Sequence, residues 1–138
     1  MTAATKERST EEIAHGRLRA VGLAAAAKIY GGTIAALDAA GAMVKGTTTT
    51  VGRVLGVALK TWDNSTGAAG AVTGEAHVGI FGPFANSTAG DLIAAADVGA
   101  TCYVVDDSTV AKTNGTNTRL AAGTVWAVDA SGVWVKFS

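Results

Sequence analysis

Residues 101–137 read TCYVVDDSTVAKTNGTNTRLAAGTVWAVDASGVWVKF, and this stretch decides the fold class. It holds three apolar, β-prone runs at 102–105, 124–128 and 133–137. Asp129-Ala130-Ser131-Gly132 separates the last two, and a short polar link of that kind ending in Gly closes a hairpin. In the final run a period of two places Val133, Val135 and Phe137 on one face and Trp134 and Lys136 on the other. Trp126 and Trp134 flank the turn and are expected to pair across it. This is β scaffold, with no catalytic device in it.

Working outward, the segment 71–84 (AVTGEAHVGIFGPF) alternates in the same way. Val72, Gly74, Ala76, Val78 and Ile80 fall on one face, Thr73, Glu75 and His77 on the other, and Pro83 is expected to end the strand because it lacks a ladder donor. Residues 51–62 (VGRVLGVALKTW) read as one long strand that Gly52 and Gly56 bend or bulge. Runs at 33–37 and 42–45 are joined by Asp38-Ala39-Ala40-Gly41, which repeats the Asp-first, Gly-fourth pattern of the later turn. Residues 63–70 carry only loop signals. One short helix is expected within 86–96 (NSTAGDLIAAA), near 91–96, with Thr88 as cap, Asp91 in its first turn and Leu92, Ile93 and Ala96 as its apolar face. The fold class is therefore mainly β: a small β-barrel or sandwich-like domain over 21–138, with that one short helix and an extended N-terminal arm over 1–20.

The composition fits one domain of 138 residues. Hydrophobic residues make up 49%, yet aromatics only 6%, and mean hydropathy is +0.31. Small side chains bury little apolar area each, so the core of a single copy is expected to be modest and an oligomer is favoured. Formal net charge is +0, which leaves no basic field for nucleic acid. No apolar run reaches the roughly 18 residues that cross a bilayer. Acidic residues near the start argue against a signal peptide.

Lys6, Glu7, Arg8, Glu11, Glu12, Arg17 and Arg19 crowd the first 20 residues, followed by few apolar partners. Ser9 and Glu12 have capping-box spacing ahead of Ile13, so a short helix over 10–14 ending before Gly16 is expected. The segment reads as an arm that orders on a partner, against the plainer reading of a disordered terminus. Its residues Lys6, Arg8, Ile13, Arg17, Leu18 and Arg19 are the candidate contacts. Trp62, Trp126 and Trp134 are the candidate interface anchors, since Trp offers much area for few rotors.

No constellation points to chemistry. His15 and His77 read as solvated side chains, and no ligand spacing for a metal exists. Asp106-Asp107 reads as a turn, since adjacent strand residues face opposite ways. Cys102 is the sole cysteine and reads as a buried small hydrophobe. The Asn-x-Ser/Thr triplets at Asn64, Asn86 and Asn114 read as chance in a Thr-rich chain. The expectation is no enzyme, no cofactor and no metal. Between 61 and 107 lie six carboxylates and no Lys or Arg, an acidic flank read either as a solvated face or as a surface for head-to-tail contact.

Residues 100–135 resemble the C-terminal part of small structural proteins of tailed bacteriophages. The pattern is YVVDD-x-TVAKT, a Gly/Asn loop, Arg119, an AAGTV strand and VDASGVWV. VGRVLGVAL (51–59) and GIFGPF (79–84) are similar in style. The family is that of capsid decoration, or cement, proteins. The resemblance implies a β-rich virion protein on the capsid surface, made in the bacterial cytoplasm. It further implies a homotrimer partnered with the major capsid protein, with an arm along neighbouring subunits, and no nucleic acid or membrane partner. A tail-tube, head-completion or fibre-associated β module is the alternative. A small ligand-binding barrel would need a pocket lined by larger apolar groups.

Overall fold

The computed structural model describes residues 3, 5–7, 9 and 16–138. The helix expected over 10–14 and its Glu12, together with Arg8, Ile13 and His15, lie outside the described residues. Among the described residues there are twelve strands: β1 (Leu18–Gly22), β2 (Lys28–Ile29), β3 (Thr33–Leu37), β4 (Met43–Lys45), β5 (Arg53–Ala58), β6 (Trp62–Asp63), β7 (Thr73–His77), β8 (Gly79–Asn86), β9 (Thr101–Asp106), β10 (Thr109–Ala111), β11 (Ala121–Asp129) and β12 (Gly132–Phe137). The protein is mainly β, as the alternation predicts.

The strands build two units. The second half of the chain forms a closed barrel in the order β10-β8-β12-β11-β9. Neighbours in it are antiparallel except β8 and β10, which close it in parallel through Thr109–Ala85 and Val110–Asn86. The first half forms an antiparallel sheet, β1-β7-β5-β3-β4, with β2 and β6 as a separate two-stranded ribbon. Its two edge strands meet only at an isolated parallel bridge between Leu23 and Met43.

Side-chain alternation sorts the apolar residues into two cores. Phe84, Ile93, Cys102, Val104, Val110, Val125, Val133, Val135 and Phe137 fill the barrel, joined by Ile34 and Val57 from the sheet. Phe137 packs edge-on against Phe84, with centroids 5.7 Å apart. Leu23, Ile29, Ala35, Met43, Leu55, Ala58 and Ala76 make the second core on the other face of the sheet. β5 serves both because of a bulge. Ala35 pairs with Gly56 and Ala36 with Val54, which leaves Leu55 as an extra residue. Val54 and Val57 then reach the barrel side while Leu55 and Ala58 reach the other. Gly56 sits at φ 149°, and a Cβ there would run into the His77 carbonyl oxygen of β7, so only glycine fits.

The hairpin at Asp129–Gly132 forms as expected, with Asp129 Oδ1 accepting the Ser131 N–H at 2.7 Å and Val133, Val135 and Phe137 buried. The matching turn at Asp38 has its carboxylate accepting the N–H groups of Ala40 and Ala42, each at 2.9 Å. Other expectations are revised. Trp126 does not pair with Trp134: a bulge between Val125 and Ala127 leaves Ala127 opposite Trp134. The long strand over 51–62 is two, β5 and β6, broken at Leu59-Lys60. The run 71–84 divides at Val78 into β7 and β8; past Gly79, at φ 140°, the phase changes and Ile80 faces outward. Pro83 does not end β8, which runs on to Asn86. It lies where the β8–β12 register shifts between Phe84 and Phe81, so no ladder donor is missed.

Instead of one helix at 91–96 there are two 3-10 turns, Ala89–Asp91 and Ala95–Asp97. The reason is Asn86. Its side-chain amide donates to the Ile93 carbonyl at 2.8 Å and accepts the Ile93 N–H at 2.9 Å. Both Ile93 backbone groups are thereby withdrawn from a helical ladder, and its side chain is pinned into the barrel. Leu18–Ala20, the last residues of the expected arm, belong to β1, so the sheet starts before residue 21.

Gly56→Ala should destabilise the protein by about 3 kcal/mol in urea unfolding, through strained φ and the His77 collision. Gly90→Ala, in open space without positive φ, should be neutral or stabilise by about 0.5 kcal/mol. Equal effects from the two would overturn the role given to the bulge.

Candidate interaction surface

Three adjacent staves, β11, β12 and β8, present one wall of the barrel to solvent. Thr124 pairs with Lys136 and Lys136 with Ile80, so these three form a row across it. Trp134 lies on the same outward face, its Nε1 donating to Asp129 at 3.3 Å. The bulge turns Trp126 out, and it is 53% exposed. Val98, which follows the second 3-10 turn, is 50% exposed. It borders a shallow groove of about 380 Å³ shared with Thr124, Trp126, Lys136 and Ser138. Two of the three candidate anchors therefore meet on one wall. Trp62 does not join them. It packs against the second core, with the Lys60 ammonium 4.4 Å above its ring.

Of the candidate arm contacts, Lys6, Arg17, Leu18 and Arg19 are exposed, the last two on the edge strand β1; Arg8 and Ile13 lie outside the described residues. His77 borders a small hollow with Trp62 and Glu75. Asp106 closes its own turn, accepting from the Ser108 N–H at 2.9 Å.

Half of the acidic flank is answered within the chain. Lys28 lies 3.8 Å from Asp63, Lys112 3.4 Å from Asp97, and Arg119 3.3 Å from Asp91. Three of the six carboxylates thus meet bases from outside the flank, which reduces the flank as a surface for head-to-tail contact. The Asp91 cluster is the tightest. Thr113 donates to its carboxylate, and Arg119 also donates to the Thr113 carbonyl at 3.1 Å. The clasp ties the 113–118 loop to the first 3-10 turn. A hydrogen bond from Thr113, aided by Arg119, holds the Asp91 carboxyl below its usual range against some desolvation. The Ala94 N–H and then Lys112 do the same for Asp97.

The barrel interior is filled by side chains, so it offers no ligand cavity. Cys102 lies wholly inside it, and burial pushes its thiol up to about 11 despite a contact with the Gly123 carbonyl. Comparison with known proteins adds no relative: no family model, no curated protein and no solved structure matches the chain.

Sequence reasoning missed Val98, Ile80 and Asn86. Period two puts Ile80 on one face with Val72 and Ala76 because the alternation is carried through Gly79, and a glycine inside an alternating run is itself the signal for a change of phase. Asn86 carries no such signal, because its role depends on where Ile93 lands.

The carboxylates of Asp91 and Asp97 have folded values below their unfolded ones. Their stabilisation is complete above about pH 4 and is lost as the pH falls through the folded values. Urea midpoints should therefore stay level above that pH and drop below it. Arg119→Met should lower the plateau and flatten the acid limb; an unchanged limb would count against the clasp. Cys102 should resist a thiol reagent such as DTNB in the native protein and react once the chain is unfolded; fast native reaction would contradict its burial.

Proposed function

We propose that this protein is a decoration protein of a tailed-phage capsid. It binds the outside of the assembled major capsid protein lattice as a homotrimer and stabilises the head. The observation that carries the reading is the pattern over 100–135, which resembles that family and which supplies β9, β10, β11 and most of β12, including the wall with Trp126 and Trp134. A wall of exposed apolar side chains beside Lys136 suits a protein whose work is added interface area. Aromatic anchors rimmed by polar groups are the usual energetic centre of such contacts. Binding the assembled lattice and not free subunits would stabilise the shell by mass action.

The test has two parts. Quantitative mass spectrometry of virions should find this chain at copy numbers comparable to the major capsid protein. Capsids carrying it should withstand heat or low salt better than capsids without it. Trp126→Ser should cut capsid occupancy by about tenfold or more while leaving the fold intact, since the side chain is exposed. Scarce copies arranged in sixfold or twelvefold rings, or capsids equally robust without the protein, would overturn the reading.

A further inference from the structure

Residues 87–100 join the end of β8 to the start of β9 and cross the end of the barrel where β10 also finishes. Among them only Ile93 is buried, and it sits in the barrel core. The ties around it are polar. Asn86 grips both backbone groups of Ile93, and the Ser87 hydroxyl donates to the Val110 carbonyl at 2.9 Å. The Lys112 N–H donates to the Asp91 carbonyl at 2.9 Å, beside the Asp91–Arg119 and Asp97–Lys112 ion pairs. Ala89 is held at φ 53°, a left-handed conformation that is costly for a residue with a Cβ, so the seated segment carries strain. One buried side chain, exposed ties and a strained residue are the features of a segment that opens locally while the rest stays folded.

The C-terminal end of the segment reaches the tryptophan wall. β9 and β11 pair at Thr101 and Thr124. One step on, the Val125 N–H donates to the Ala100 carbonyl and the Gly99 N–H to the Val125 carbonyl, each at 2.9 Å. Val125 is where the β11–β12 register shifts, and Trp126 is the residue left without a partner on β12. Val98 lines the same groove as Trp126. The bulge that turns Trp126 outward is thus braced on its β9 side by Gly99 and Ala100, which belong to the segment and not to the strand.

We infer that residues 87–100 are a strap that opens and closes as one unit over the barrel end, and that only its closed form presents Trp126 on the wall. Closing seats Ile93 in the barrel, sets Asp91 on Arg119 and Asp97 on Lys112, and carries Gly99 and Ala100 onto Val125. Asp91 precedes Ile93 and Asp97 follows it within one short run, so withdrawing Ile93 draws both carboxylates off their bases. The same movement strips the brace from the bulge. A partner that docks on the wall selects the closed strap, so holding the strap and holding the wall are linked in both directions.

Native-state amide exchange in low urea tests this on the full chain without capsids, so its failure is distinct from a failure of the decoration reading. The strap donates the Ile93 and Gly99 N–H groups and receives those of Lys112 and Val125. These amides should share one opening constant, at least about tenfold above that of Val104 and Ile34. It should change little with urea while theirs rises steeply, because a strap exposes little surface. Asn86→Ala should raise the opening of all the strap amides by one common factor, about tenfold. Unrelated opening constants among them, or values that follow Val104 at every urea concentration, would overturn the strap. Val125 keeping pace with Val104 instead of Ile93 would overturn the brace on the bulge. Ile93→Asp cannot seat a charge in the barrel and should hold the strap open, shifting the Trp126 indole N–H signal in an NMR spectrum and leaving that of Trp62 in place. An unmoved Trp126 signal in that folded variant would overturn the presentation of Trp126. Should Ile93→Asp not fold, Asn86→Ala combined with Arg119→Met gives the same reading with the same two outcomes.

Discussion

The structure depends on one irregularity, the bulge at Leu55-Gly56. Strict alternation along β5 would send Val54 and Val57 to opposite faces, because they are three residues apart. One extra residue opposite Ala35 corrects the count, so both valines reach the barrel-side core and Leu55 and Ala58 reach the other. A single strand thereby serves two cores. The cost is a backbone conformation that no side chain tolerates, pressed against the His77 carbonyl. β3 makes the complementary connection: the Ile34 side chain joins the barrel core, its N–H takes the Asp107 carbonyl at 2.8 Å, and Ala35 faces the second core. The two units are therefore one folding body held through β3 and β5.

The barrel is narrow enough for side chains alone to fill it. Ile93 takes part in that filling, and its place is set by Asn86 from a neighbouring stave rather than by local helix propensity. A closed, filled barrel leaves recognition to its exterior. There the bulge between Val125 and Ala127 determines what is displayed. It moves Trp126 out of register with Trp134 and adds exposed aromatic area beside Val98. A bulge on β5 thus joins the two cores, and a bulge on β11 shapes the outer wall.

Much of the second half was legible from residues because its signals are local. The Asp-x-x-Gly turns carry their own hydrogen bonds at Asp38 and Asp129, and the valines of β12 alternate without interruption. The first half was harder. A reading by period two assumes a constant phase, and phase is reset at Gly56 and at Gly79 by contacts with strands distant in sequence. The segment 86–96 fails for a similar reason: its alanines favour a helix, but the Asn86 amide competes for the Ile93 backbone and wins. The tryptophans were legible as a set but not as a site. Composition identifies three large side chains, and only the assembled sheets separate Trp62, on the second core, from the pair on the wall. The resemblance over 100–135 bears on function without any active-site motif, which is why the functional reading rests on surfaces.

Those surfaces differ in physics. The tryptophan wall offers side-chain area, so its affinity depends on which residues fill it and little on register. β4, an edge strand of the sheet, offers backbone groups, so pairing there would depend on register and tolerate side-chain change better than proline. They sit on different units, the wall on the barrel and the edge on the sheet. Because β3 and β5 tie the units, opening either one exposes part of the other's core: Ile34 and Val57 leave the barrel when the sheet opens. A partner that bound the folded state at either surface would stabilise the whole chain against unfolding by linkage. Small-residue cores bury little area per side chain, so area added from outside would count for more here than in a core built of large side chains.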